Sequence, residues 1–426
     1  MNGLREDADQ IIKTSIEAVL PDEAVRKALQ EKFPPGRKGR AGALYVIAVG
    51  KAAWQMANAA YGYLGDKIRK GIVITKYGHV QGKIPKMICY EAGHPVPDEN
   101  SFAATRAAVS LAEDLGMEDQ VLFLLSGGGS ALFEEPLISL AELQDITQQL
   151  LSCGADIVEI NTIRKRLSAV KGGKFAKICA PARVYSIVLS DILGDPLDMI
   201  ASGPVCPDSS TCAQAVGITE KYRLILSKKA GEYIRQETPK VLDNVESHIM
   251  GSVRALCAAA AGACEKLGYR PLILTDQLTC EAREAGSFLA AIARSHCNTR
   301  EDLAFIAGGE TVVHLTGRGK GGRNQELALG AAEGIAGLDN VAIFSVGSDG
   351  TDGPTDAAGG FCDGKTKERL TGYGIDIHDV LRQNDAYPAL KRCEGLVVTG
   401  PTGTNVNDVA VLLIRGKRSD KKVNKS

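Results

Sequence analysis

The chain lacks an excess of charge of either sign, with 50 Lys and Arg set against 51 Asp and Glu in 426 residues. The basic stripe that grips a phosphodiester backbone is missing, so no nucleic-acid partner is expected and small molecules remain. C-x-x-C pairs are also lacking. The 11 cysteines are odd in number and scattered from Cys89 to Cys393, which excludes a metal cluster or disulfide framework and points to a reducing compartment. No apolar run approaches the roughly 18 residues of a membrane span. Met1–Leu20 carries acids and enters a helical pattern at once, unlike a signal or transit peptide. A cytoplasmic protein with no membrane partner is therefore expected. There is no internal repeat. Because one ordinary core does not serve a chain of this length, two domains are expected.

What stands out instead is Val121–Pro136, VLFLLSGGGSALFEEP. Its apolar run bounded by glycines fits a buried parallel strand that turns into a helix. Ser126, Gly127, Gly128, Gly129 and Ser130 form a candidate cradle for phosphate or carboxylate, through close backbone N–H groups and a helix N-terminus. A plain flexible turn would look the same. No Lys or Arg accompanies these glycines, so the stretch offers N–H groups and two hydroxyls and needs charge from elsewhere. It reads as one wall of a cleft.

Around it, strands and helices alternate. Strands are expected at 43–49, 71–75, 121–125 and 184–189, and helices at 51–64, 101–115, 140–151 and 161–169, after one or two amphipathic helices split at Pro21. Residues 32–42 read as a linker. This is the alternation of a Rossmann-like, doubly wound parallel sheet, with ligands gathered where strands end. The pattern turns polar and helical from Cys206 to Val245, which places an N-terminal α/β domain at 1–240 and a C-terminal α/β domain at 241–426. The second is expected to carry strands at 272–275, 303–307, 311–315, 341–346 and 409–414, helices at 252–267, 281–295 and 325–335, and a disordered tail from Arg415.

The chemistry-bearing residues lie in the loops. Lys51, in VGKAAWQMA, follows a strand and opens a helix, within reach of the glycine stretch and able to neutralise phosphate oxygens. His94, in AGHPVPDENS, sits in a stiffened loop and is a candidate substrate contact. Asp191, in LSDILGDPLDMIASGP, ends a strand and suits a general base or an Mg²⁺ ligand, whereas Asp195 or Asp198 suits helix capping. In GGETVVHLTGRGKGGRNQELALG, Gly317, Gly319 and Gly322 satisfy G-x-G-x-x-G, a dinucleotide pattern. However, Arg318, Lys320 and Arg323 crowd cations into that loop, and Glu310 precedes it. Asp349 and Asp352, in GSDGTDGPTDAAGG, look more like a metal-bearing loop than a single ribose acceptor. Facing cationic and acidic loops suit a metal-bound polyphosphate, with Glu310, Gly319, Lys320, Gly322 and Asn324 as candidate substrate or phosphate contacts. Asn405, Asn407 and Asp408 precede the last strand, where the two amides would orient hydroxyls or metal ligands; a tight turn uses the same residue types.

In this order, these segments resemble the class II glycerate kinase family, whose C-terminal half contains the region named MOFRL, here about 303–415. The resemblance covers nearly the whole chain. It implies ATP-dependent phosphorylation of D-glycerate at the 2-hydroxyl, with ATP and Mg²⁺ as cofactors and an active-site cleft between two α/β domains; the sequence leaves the oligomeric state open, with a homodimer as the assembly to test. It also implies catalytic roles for Lys51, Asp191 and Arg323. His314 departs from the family pattern, in a way that bears on packing more than on chemistry. A nicotinamide-dependent hydroxypyruvate reductase and a non-catalytic sugar-phosphate binder are the rival readings.

Overall fold

In the computed structural model, which describes residues 2–34 and 42–417, the strands form two six-stranded sheets. The first contains β1 (Leu44–Val49), β2 (Ile68–Lys76), β3 (Met87–Ala92), β4 (Gln120–Leu125), β5 (Arg183–Leu189) and β6 (Val245–Gly251), in the order β3-β2-β1-β4-β5-β6. The pairings of β1 with β2 and β4, β2 with β3, and β4 with β5 are all parallel. β1, β4 and β5 are buried almost end to end, which explains their unbroken apolar sequences. Strand order reverses between β1 and β4, so the loops after these two strands flank the switch point where such sheets place ligands. Those loops begin at Gly50–Lys51 and Ser126–Gly127.

The second sheet contains β7 (Arg270–Leu278), β8 (Leu303–Gly309), β9 (Val341–Gly347), β10 (Gly359–Asp363), β11 (Leu396–Val397) and β12 (Asp408–Ile414), in the order β11-β10-β9-β12-β8-β7. This sheet is mixed: β12 runs antiparallel between β8 and β9. As a result Asp408, which starts β12, lies opposite Gly309 and Gly347, which end β8 and β9. One edge thus collects the loops after β8 and β9 and the loop before β12.

The chain divides into two compact bodies: residues 21–250, and residues 251–417 together with 2–20. This differs in two ways from the expected cut at 240. β6 completes the first sheet, and helix Asn2–Glu17 belongs to the second body. That helix buries Ala8, Ile11, Ile12 and Ile16 along one face, and Arg5 donates to the Glu394 and Leu396 carbonyls at 3.2 and 3.1 Å. Its Asp7 accepts from Tyr269 and Arg415, both at 2.5 Å.

The expected strand at 311–315 does not form; only Val312 bridges, to Glu281. β3, β6, β10 and β11 were not foreseen. Of the expected linker, 35–41 lie outside the described residues, as does the tail beyond Lys417. Among the described residues, no helix is long and apolar enough to cross a membrane.

Candidate functional site

In the first body, the switch-point loops are tied together by backbone. The Lys51 N–H donates to the Gly127 carbonyl at 2.9 Å, and the Lys51 carbonyl accepts from Thr75 Oγ1 at 3.3 Å and lies 3.0 Å from His79 Nδ1. Ser126 is buried, and its hydroxyl accepts from the Ala52 N–H at 3.1 Å. It braces the two loops, which explains a serine there without a ligand. A Cβ on Gly127 would lie 2.1 Å from Asp191 Oδ2. Gly128 has φ +87°, and a Cβ there would lie 3.0 Å from the His94 ring and 3.2 Å from the Lys51 stem. The structure therefore brings Lys51, His94 and Asp191 together around Gly127–Gly128, and the missing side chains are what let them approach. Burial first, then the charges of Lys51 and Lys76 and nearby His79, push the His94 imidazole below its ordinary pKa. This favours a neutral ring.

Gly129 and Ser130 are used differently. Gly129 packs against Ala201, where a Cβ would approach to 2.6 Å. The Ser130 hydroxyl lies 3.2 Å from that of Ser202, and its carbonyl accepts from Arg164 at 3.0 Å and Lys171 at 2.8 Å. Helix Gly129–Leu132 is only four residues long, so the expected support from a helix dipole is small. A cavity of about 760 Å³ lined by Leu44, Gln120 and Arg183 opens at the other end of the strands, away from Lys51 and Ser126.

In the second body, the edge at Asp408 is built around Arg323, the first residue of helix Arg323–Ala332. Its Nε and Nη2 fork onto the Asp408 carboxylate at 2.5 and 3.1 Å, and Nη1 donates to Glu310 at 2.8 Å. Burial lowers the Arg323 pKa, but these two carboxylates more than offset that and raise it. The fork keeps N–H hydrogens unspent for an anion.

Asp352 is buried, and its carboxylate accepts from the Asn324 and Gln325 N–H groups at 3.1 and 2.9 Å. It caps the helix that carries Arg323, a use that leaves little of it for a metal. Asn324 is buried between Asp352 and the Ser345 hydroxyl, which makes it scaffold. Asp349 spends one oxygen on the Thr351 N–H at 2.9 Å. Among the described residues, no group of three His, Cys, Asp or Glu is placed to hold a metal ion.

The G-x-G-x-x-G pattern is accounted for by packing. β8 ends at Gly309, well before it, and a Cβ on Gly317 or Gly319 would lie 2.2 or 2.4 Å from residues 383–385. A Cβ on Gly322 would lie 2.2 Å from Asp352. The Lys320 ammonium sits 4.6 Å from the centre of the Tyr387 ring. Asn405 is exposed and accepts from the Asn407 N–H at 3.4 Å. Asn407 has φ +68° and a buried side chain whose Nδ2 lacks a hydrogen-bond partner among the described residues.

Sequence reasoning passed over two features. Asp408, grouped there with the two amides, is the partner that orients Arg323. The cations Arg164, Lys165, Arg166, Lys171 and Lys174 look no different in sequence from a solvated basic face, yet Lys165, Arg166 and Lys171 are almost wholly buried against Glu134, Asp198 and Asp208. Only tertiary contacts distinguish the two cases.

Residues 7–235 match a family described as a domain of unknown function (DUF4147), and residues 303–408 match the MOFRL family. The chain is 52% identical to a D-glycerate 2-kinase of Thermotoga maritima, over 97% of this chain and 99% of that one. It is 40% identical to a putative hydroxypyruvate reductase of Agrobacterium vitis, over 88% of this chain and 100% of the relative. Among solved structures, it is similar to a glycerate kinase of Thermotoga maritima, with a TM-score of 0.92 and 51% identity, covering 97% of this chain and 100% of that one.

Proposed function

The chain belongs to the MOFRL-containing family of glycerate 2-kinases, and on that premise we propose that it transfers the γ-phosphoryl group of ATP to the 2-hydroxyl of D-glycerate. The observation that carries the reading is the convergence of Lys51, His94 and Asp191 on Gly127–Gly128 at the switch point of the first sheet. Phosphoryl transfer needs in-line positioning and charge stabilisation more than covalent chemistry, and this set supplies a cation, a carboxylate and close backbone. Asp191 takes the proton of the 2-hydroxyl as its oxygen attacks the γ-phosphorus and the bond to the β–γ bridging oxygen breaks, releasing ADP and 2-phosphoglycerate. Lys51 neutralises the charge that develops on the transferred group, and Arg323 offers its remaining N–H groups to an anion at its own edge of the second sheet. Mg²⁺ belongs to this reading as a companion of the ATP phosphates. Asp352 does not fit as its ligand and Asp349 offers a single unspent oxygen, so no step is assigned to the metal.

A coupled assay tests the reading: ADP release from D-glycerate, ATP and Mg²⁺, run beside NAD(P)H oxidation with hydroxypyruvate. ADP release with 2-phosphoglycerate as product is expected. Hydride transfer without ADP release overturns the kinase reading in favour of the reductase, and no turnover in either arm overturns it in favour of a binder.

A further inference from the structure

We propose that Lys165 is a positioning residue that holds the Asp191 loop in its working shape, an inference that rests on the assignment of Asp191 above. The loop after β5 is held in an unusual backbone: Asp195, Ala201 and Ser202 have φ of +53°, +51° and +61°. Non-glycine residues there are strained and persist only where their surroundings over-determine them.

Helix Ile157–Leu167 provides those surroundings. Lys165 is 1% exposed, and its ammonium donates to Asp198 Oδ2 at 3.2 Å and Asp208 Oδ1 at 2.9 Å. It thus joins two points of the chain that follows Asp191. Asp198 also accepts from Ser209 Oγ at 2.5 Å, and Asp208 from Thr238 Oγ1 at 2.6 Å and the Ser210 N–H at 3.0 Å, so both carboxylates are fixed from several sides. One turn earlier on the same helix, Asn161 accepts from Ser202 at 2.9 Å. The clasped loop then abuts the glycine stretch twice, with Asp191 against Gly127 and Ala201 against Gly129. A lysine that served stability alone would be a poor choice, because replacing a buried ion pair by apolar residues is often neutral or better. The same lysine is well suited to specifying one loop conformation.

Lys165→Met should lower kcat about 10²-fold, the cost of a misplacement of about 1 Å at a reacting group. The KM values for ATP and D-glycerate should be nearly unchanged, and Lys165→Arg should restore much of the rate. Combined with Asp191→Asn, Lys165→Met should slow the enzyme no further, since both act through one carboxylate. Should Lys165→Met fail to fold, Asp198→Asn, which keeps the side-chain shape, should show the same selective loss of kcat. Normal kcat in the folded variant, or additive losses in the double variant while Asp191→Asn alone is slow, overturns this inference and leaves the proposed function standing. Normal turnover by Asp191→Asn itself overturns the role given to Asp191, and this inference with it.

Discussion

At the residue scale, Arg323 sits among three acids, with Asp408 and Glu310 on its fork and Asp352 just behind it, capping its helix. Such crowding shows in the acids. Burial pushes the Asp352 carboxyl up to about 6, opposed by the N–H groups of Gln325 and Asn324, reinforced by the charge of Asp408 and lowered again by Arg323. Its ordinary value is 3.8, so the folded state binds this proton more tightly than the unfolded one. The sign follows: the fold is favoured while the group is protonated, and that advantage is lost as pH rises from about 4 through about 6. At about 1.4 kcal/mol per pKa unit, the loss is about 3 kcal/mol. Asp352→Asn cannot ionise. The unfolding free energy of wild type minus that of Asp352→Asn should therefore fall by about 3 kcal/mol between about pH 4 and pH 7, as read from urea titrations. A difference that does not change with pH would show that Asp352 titrates normally.

At the scale of elements, the glycine stretch was legible as a strand-to-turn unit because its apolar run and its glycines are local signals. Its use was only half legible. Ser126 and Ser130 read as ligand hydroxyls, but a hydroxyl that braces two loops and one that faces solvent have the same sequence, and burial decides between them. The strand expected at 311–315 shows the converse, since β-branched residues that make one isolated bridge, Val312 to Glu281, remain a loop. β10 escaped notice because Gly359 and Gly360 weaken any strand propensity while permitting the close packing found there. Gly127 separates conformational from steric need. Its φ is not among the positive values, so alanine is tolerated by the backbone, whereas the added Cβ would fall 2.1 Å from the Asp191 carboxylate. Gly127→Ala should fold with nearly wild-type Tm and lose about 10² or more in kcat. Full activity in that variant would show that the carboxylate can move without consequence.

At the scale of the whole molecule, the two α/β bodies were legible from the alternation of elements, and their assembly from discontinuous sequence was not. The N-terminal helix has the apolar spacing of any surface helix, and spacing says which face is buried without naming the surface that buries it. Its partners are Tyr269 and Arg415, more than 250 residues away in sequence, joined through Asp7. Ile11 is fully buried on that face. Ile11→Ala should cost about 2–5 kcal/mol through the cavity it leaves, and the cost should fall on the second body alone. In hydrogen exchange by mass spectrometry, peptides covering β8, β9 and β12 should lose protection while those covering β1, β4 and β5 keep theirs. Loss of protection in the first sheet instead would mean that the helix stabilises residues 21–250, and that the second body holds together without its first twenty residues.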